Sequence, residues 1–249
     1  MPRTTYPQGA RRPLLTRGGF LGAAALASAL APASALAAPM SALSQTLTKA
    51  ERDALSPADI LAAMKQGNER FRTGKSTPRD YAAQQRATAA GQYPAAVILG
   101  CIDSRVPAEI VFDVGIGDMF IARVAGNVVN DDMLGSMEFA CAVSGAKLVL
   151  VLGHAACGAV KGAIDDVELG NLTGLLARIK PAITQTDFKG EKSSKDQAYV
   201  DAVAQTNVKL TVALTRRRSP ILADLEKKGT IQIAGAMYDL RTGTVDFLS

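Results

Sequence analysis

Two short segments carry the residue types that could do chemistry. The chain's single histidine, His154, stands in Gly153-His154-Ala155-Ala156-Cys157, and upstream of it lies Cys101-Ile102-Asp103-Ser104-Arg105. Together they offer two thiols, one imidazole and one carboxylate, a mixture of soft and borderline donors that suits zinc. Cys101, Asp103, His154 and Cys157 are therefore the candidate metal ligands. A catalytic zinc keeps three protein ligands and leaves a fourth position open. Two thiolates cancel the ion's formal charge, so water on such a zinc is harder to ionise than on a three-histidine site. If Arg105 draws Asp103 off the metal, its carboxylate is free to accept the hydrogen bond of a bound hydroxide. If Asp103 stays coordinated, no nucleophile forms.

Such a site needs elements that bring the two segments together. Residues 95–99, 119–122, 147–152 and 231–236 are short apolar runs, and those at 95–99 and 147–152 are unbroken, as in parallel strands covered on both faces. Between them, residues 131–145, 157–166, 171–180, 196–216 and 221–228 read as helices, which gives an α/β fold with a mainly parallel sheet flanked by helices. Cys101 and His154 each follow one of these runs and a glycine. In an open sheet of this kind the carboxyl ends of the strands gather at one edge, where ligands bind. Cys157 is expected in the first turn of the next helix, where the helix dipole favours a thiolate.

Residues 38–50 read as a polar lead-in without periodicity. An N-terminal helical segment then starts at Ser56-Pro57-Ala58-Asp59, which combines an N-cap serine, a proline at the first helical position and an acid three residues on. Ile60, Leu61, Met64 and Phe71 form its apolar stripe. A second helix is expected over residues 80–90, and residues 238–248, with a turn at Thr242-Gly243, form a C-terminal hairpin-like extension. No linker or internal repeat divides residues 38–249, so they form one domain.

The basic character of the chain sits at its start. Its formal charge is +5, with 28 lysines and arginines against 23 acids. Arg3, Arg11, Arg12 and Arg17 precede residue 38 in a stretch without acids, and the remainder is nearly balanced, which removes the main support for a nucleic-acid partner. Arg11-Arg12, the apolar stretch Phe20 to Ala31 and Ala35-Leu36-Ala37 before Ala38 have the layout of a signal peptide over residues 1–37. The arginine pair followed by two leucines suits the twin-arginine route, although a general secretory signal shares the same plan. The expected location is periplasmic or secreted, with no stable membrane span in the mature chain. Three cysteines do not make a disulfide framework. Ligation by two of them leaves Cys141, read as a buried, inert thiol in a helix. Gly115-Ile116-Gly117 is read as a turn and Arg216-Arg217-Arg218 as a solvated helix end.

Cys101-Ile102-Asp103-Ser104-Arg105-Val106-Pro107 and Leu152-Gly153-His154-Ala155-Ala156-Cys157-Gly158-Ala159-Val160 resemble the two signature segments of the β-class carbonic anhydrases. The likeness extends to residues 117–127, 134–139 and 235–243, and so over essentially the whole mature chain. It implies that Cys101, His154 and Cys157 are permanent ligands to one zinc per chain. It implies also that Asp103 and Arg105 form a catalytic dyad that opens the fourth position. The reaction implied is reversible hydration of carbon dioxide to bicarbonate and a proton by zinc-bound hydroxide, in a homodimer or higher homo-oligomer. Val114, after Phe112-Asp113, stands where many bacterial members carry a glutamine, so a polar contact to substrate is absent from the pattern. Relatives with the same ligands hydrolyse carbonyl sulfide or carbon disulfide, and a non-catalytic zinc-binding or redox-sensing protein is the alternative from outside the enzymes.

The one histidine is a ligand in this reading, which leaves no second imidazole to carry a proton from the site. Turnover is therefore expected to rise steeply with the concentration of external buffer. Stopped-flow rates that do not change with buffer concentration would refute this.

Overall fold

The structure, a computed structural model, describes residues 46–248. The expected signal peptide at 1–37 and most of the lead-in lie outside the described residues. Five strands, β1 (Ala96–Gly100), β2 (Met119–Arg123), β3 (Leu148–His154), β4 (Gln232–Tyr238) and β5 (Val245–Leu248), form one sheet in the order β2-β1-β3-β4-β5. The first four run parallel, and β5 returns antiparallel to β4 after the turn at Thr242-Gly243. Every residue of β1 and β3 is buried, which is why their sequences show no alternation.

The helices are α1 (Lys49–Ala54), α2 (Pro57–Arg72), α3 (Tyr81–Thr88), α4 (Ala108–Val111), α5 (Asp131–Glu138), α6 (Gly158–Ile164), α7 (Gly170–Leu176), α8 (Lys180–Gln185), α9 (Gln197–Arg218) and α10 (Pro220–Lys227). Alternate strand residues face opposite layers. Ala96, Ile98, Leu148, Leu150 and Leu152 pack with Ile60 and Met64 of α2 and with Val111 and Phe112. Val97, Leu99, Val149 and Val151 pack with Met137, Val208, Val212 and Leu222 from α5, α9 and α10. A third cluster, beyond the strand ends, joins Cys101 and Cys157 to Val160, Ile179, Tyr199 and Val203.

The capping box read at Ser56 is present. Its hydroxyl accepts the Asp59 amide at 3.1 Å, and the Asp59 carboxylate accepts the Ser56 amide at 2.9 Å. Asn68 of α2 ties the C-terminal hairpin to the body. Its Nδ2 donates to the Gly243 carbonyl at 2.8 Å and its Oδ1 accepts the Val245 amide at 2.9 Å. Gly67 beside it allows close approach, since a Cβ there would lie 1.9 Å from the Phe112 carbonyl oxygen.

Three expectations need correction. The lead-in at 38–50 is not irregular to its end, because α1 starts at Lys49 under a capping box between Thr48 and Glu51. Residues 131–145 begin as α5 but widen into a π-helix over Phe139–Val143. Residues 171–180 do not form one helix: α7 ends at Leu176, and α8 starts at Lys180 with Pro181 in its first turn. The reading of Arg216-Arg217-Arg218 as a solvated helix end holds: all three are exposed in the last turn of α9, where Arg216 and Arg218 also pair with Glu226 at 2.7 Å and Asp131 at 2.6 Å. No described helix is long and apolar enough to cross a membrane.

Asp118, just before β2, is 2 % exposed and accepts the amides of Gly115 at 2.7 Å and Leu47 at 3.4 Å. Burial pushes its carboxyl up from 3.8 to about 6, against those two amides and the charge of Arg79. A folded pKa above the unfolded one adds stability that is complete below the unfolded value and is lost as pH rises through the folded value. Asp118→Asn has no charge to bury. It is expected to gain stability relative to the parent between about pH 4 and 7, by about 3 kcal/mol at most. Urea denaturation across that range checks this, and a difference that does not change with pH would refute it.

Candidate metal centre

Parallel pairing places the two chemical segments side by side. Gly100 of β1 is level with Leu152 of β3, so Cys101 leaves the sheet beside Gly153, with His154 one residue further on. Gly153 lets neighbouring elements close in behind the histidine. A Cβ there would lie 2.5 Å from Val208 Cγ2 and 2.8 Å from Met237 Sδ. After His154 the chain turns through Ala156, a non-glycine residue at φ 55°. Cys157 is then the N-cap of α6, not a residue of its first turn as the spacing predicts. The left-handed step at Ala156 turns the chain before the helix begins, which leaves Cys157 extended at φ −64° and ψ 120°.

The thiols of Cys101 and Cys157 and one ring nitrogen of His154 lie within 4.8 Å of one another, and all three residues are buried. His154 Nδ1 is 2.8 Å from the Ala155 carbonyl oxygen, whereas Nε2 is buried without a hydrogen-bond partner. A carbonyl can only accept, so Nδ1 carries the hydrogen and Nε2 presents its lone pair. An unpartnered buried nitrogen among two thiols fits a borderline cation such as zinc.

The electrostatics point the same way. The Cys157 thiol beside it, together with His154 and the Gly126 amide, lowers Cys101 in spite of burial. The Gly126 amide donates to Cys101 Sγ at 3.3 Å. Cys157 is pushed up, first by its Cys101 neighbour and then by burial. Burial alone would push His154 down, but the Cys101 thiolate outweighs it and the net direction is up. Two adjacent buried thiols cannot both ionise unless a cation joins them. The cluster is therefore built for a positive charge that the side chains themselves do not supply.

Asp103 lies at the rim of this group. Both its oxygens are taken by Arg105: Nε donates to Oδ1 at 3.0 Å and Nη2 to Oδ2 at 2.7 Å. The Arg105 amide also donates to Oδ1, at 3.0 Å. Arg105 holds the Asp103 carboxyl well below the usual carboxylate range. Asp103 Oδ2 is 3.8 Å from His154 Nε2, close to the three donors but engaged by the guanidinium.

Sequence reasoning missed several residues that shape the site. Arg123, at the end of β2, donates to the Cys101 carbonyl at 2.7 Å and the Asp103 carbonyl at 2.5 Å, and so fixes the backbone between them. Asn207 of α9 donates to the Gly126 carbonyl at 2.8 Å, and Asp201 of α9 accepts the Ala156 amide at 2.8 Å. Nothing local in the sequence marks the two α9 residues. Asp113 is buried against Arg70, Arg79 and Thr77, away from the thiols, and Val114 packs in the core beneath α2. Cys141 is buried, and burial pushes its thiol up to about 12, in keeping with an inert residue.

Comparison with known proteins agrees with this geometry. The sequence profile of the family described as carbonic anhydrase matches residues 96–245. Carbonic anhydrase 2 of Mycobacterium tuberculosis is 39% identical over 193 residues, which cover 75% of this chain and 90% of that protein. The carbonic anhydrase of Mycolicibacterium smegmatis is 38% identical over 195 residues, covering 78% and 94%. Among solved structures, the β-carbonic anhydrase CafA of Aspergillus fumigatus aligns with a TM-score of 0.59 at 25% identity, over 77% of this chain and 91% of that one. One of two tetrameric β-carbonic anhydrases from Sordaria macrospora gives 0.60 at 23% identity, over 68% and 90%. With the family's profile running from β1 into β5 and the Cys-His-Cys cluster at the edge of a parallel sheet, this chain belongs to the carbonic anhydrases, in their β class.

Proposed function

We propose that this carbonate dehydratase hydrates carbon dioxide reversibly at a single zinc held by Cys101, His154 and Cys157, with Asp103 and Arg105 governing the fourth position. The observation that carries the reading is the buried cluster of two thiols and a bare imidazole nitrogen beside a carboxylate that is already occupied by an arginine. Zinc, when bound, supplies Lewis-acid activation of water.

The chain's own residues do the rest. His154 Nδ1–H, anchored on Ala155, fixes the ring so that Nε2 faces the thiols. Arg105 keeps Asp103 ionised and turned toward itself, so that the carboxylate acts as a hydrogen-bond acceptor and not as a ligand. With zinc bound, Asp103 would be placed to accept a hydrogen bond beside the donors and so to orient the partner that donates it. Arg123 holds the carbonyls of Cys101 and Asp103 and keeps the ligand and the acceptor at a set separation. The third apolar cluster, behind the thiols, excludes water from the metal's protein side.

We further propose export through the signal over residues 1–37 and assembly as a homodimer or larger oligomer. Support for assembly comes from the edge position of β2, unpaired among the described residues, with Phe139, 54% exposed, packed against Phe120 of that strand. The tetrameric Sordaria macrospora enzyme is a precedent among structural neighbours. The mature protein is expected to begin at Ala38 and to have the mass of at least two chains. Mass spectrometry and light scattering check this, and an intact N-terminus with a monomer mass would refute both parts.

The main test is carbon dioxide hydration by zinc-assayed protein between about pH 7 and 9. The parent should hold one zinc per chain and turn over. Asp103→Ala should keep its zinc and lose about 10–100-fold in rate. Negligible hydration with rapid carbonyl sulfide hydrolysis would assign the other substrate. A zinc-loaded parent with no turnover of either would make it a binding protein.

A further inference from the structure

The two halves of the metal centre are held from the same helix. Asp201 and Asn207 are six residues apart on α9, and each reaches the backbone of a segment next to a donor: the turn between His154 and Cys157, and Gly126 beside Cys101. Asp201 Oδ1 accepts the Ala156 amide at 2.8 Å and, from its own helix, Gln197 Nε2 at 2.7 Å. Asn207 is 3% exposed and donates Nδ2 to the Gly126 carbonyl at 2.8 Å, while the Gly126 amide donates to Cys101 Sγ at 3.3 Å.

The point at which Asp201 acts is a strained one. Ala156 lies between His154 and Cys157 at φ 55°, where a residue with a Cβ is disfavoured by about 1–2 kcal/mol. Without an outside partner for its amide, the turn would relax toward φ < 0 and swing His154 and Cys157 apart. A hydrogen bond from a backbone amide to an ionised carboxylate is among the stronger ones available to offset such strain. Gln197 fixes the rotamer of Asp201 from one helical turn away, so the acceptor is set before any metal arrives. α9 is 22 residues long and packs on β3 and β4 through Val208 and Val212, which makes it a rigid base for both contacts.

We propose that Asp201 is a positioning residue for the metal. It holds the Ala156 turn, and with it the spacing of His154 and Cys157, while Asn207 sets Cys101 through Gly126. The proposal rests on the reading of Cys101, His154 and Cys157 as zinc ligands. It assigns to α9 a part in metal retention that neither signature segment contains.

The test uses the whole mature protein as parent, Asp201→Ala, Asp201→Asn and Gln197→Ala, each loaded with zinc or cobalt(II). Two readouts are independent of activity: transfer of zinc to a chromogenic chelator, and the visible and thiolate charge-transfer bands of the cobalt form. Asp201→Ala is expected to release zinc about 10–100-fold faster and to shift the cobalt bands, with the thermal midpoint of the metal-free protein nearly unchanged. Asp201→Asn keeps an acceptor oxygen and should restore slow release, and Gln197→Ala, which frees the carboxylate to turn, should fall between. Equal release rates and superimposable cobalt spectra in the parent and Asp201→Ala would overturn the proposal. So would Asp201→Asn releasing zinc as fast as Asp201→Ala. If Asp201→Ala does not fold, Gln197→Ala decides, since its residue is exposed, and release at the parent rate would overturn the role. A parent that takes up no zinc would overturn the ligand assignment itself, a result distinct from parent-like release by the variants.

Discussion

The parallel pairing of β1 with β3 is the constraint on which the site depends. Gly100 opposite Leu152 brings two segments that are distant in sequence to one sheet edge. A strand's side chains alternate between faces, so a slip of one residue would turn each core residue of β1 to the opposite layer. That slip is resisted from both sides, because Ile98 and Leu99 are each fully buried in different clusters. The register that places Cys101 beside Gly153 is therefore held by apolar packing on both faces of the sheet. Glycine at 153 completes the arrangement by letting Val208 and Met237 close in behind the histidine.

Given that register, charge decides what the cluster can be. Two thiols and an imidazole share one buried cluster, where the two thiols pull each other's pKa in opposite directions, Cys101 down and Cys157 up. Left to themselves, the three groups share too little positive charge for two thiolates. A divalent cation removes that conflict, and the bare Nε2 of His154 is the third donor it requires. Asp103 is excluded from the same pull by its two-point contact with Arg105 and by the Arg105 amide. One carboxylate near the site is thus kept as an acceptor by a local ion pair, at the cost of freedom to ligate.

Much of this was legible in the sequence, and the reasons differ by element. The unbroken apolar runs of β1 and β3 betray strands covered on both faces, and Ser56-Pro57-Ala58-Asp59 carries its own start signal. Cys101, Asp103, Arg105, His154 and Cys157 stand out because their types are scarce or their spacing is tight. What was not legible depends on contacts between distant residues. Ala156 is an ordinary alanine in sequence, yet its backbone is left-handed and its amide is accepted by Asp201, far along the chain. Arg123, Asn207 and Asp201 look like surface residues of a strand end and a long helix until the fold places them against the loops. The capping box of Thr48 and Glu51 is a local signal, but it stands in a polar lead-in whose lack of periodicity hides the helix it starts. The break between α7 and α8 was also marked, by Pro181.

The same contacts that make the centre also limit how protons leave it. His154 is fully buried, its Nδ1 is committed to the Ala155 carbonyl, and its Nε2 faces the thiols, so the ring cannot rotate to exchange a proton with solvent. Asp103 is nearer the surface, but Arg105 engages both its oxygens and holds its carboxyl well below the usual carboxylate range, which disfavours it as a proton carrier. The ion pair that preserves Asp103 as an acceptor therefore removes it as a carrier. Arg105 is exposed and stays charged, so it too offers no proton acceptor. Ligation, orientation and proton export are separate demands on such a site, and here His154, Asp103 and Arg105 are each committed to one of the first two. The third must be met by solvent or by a small base that enters from it.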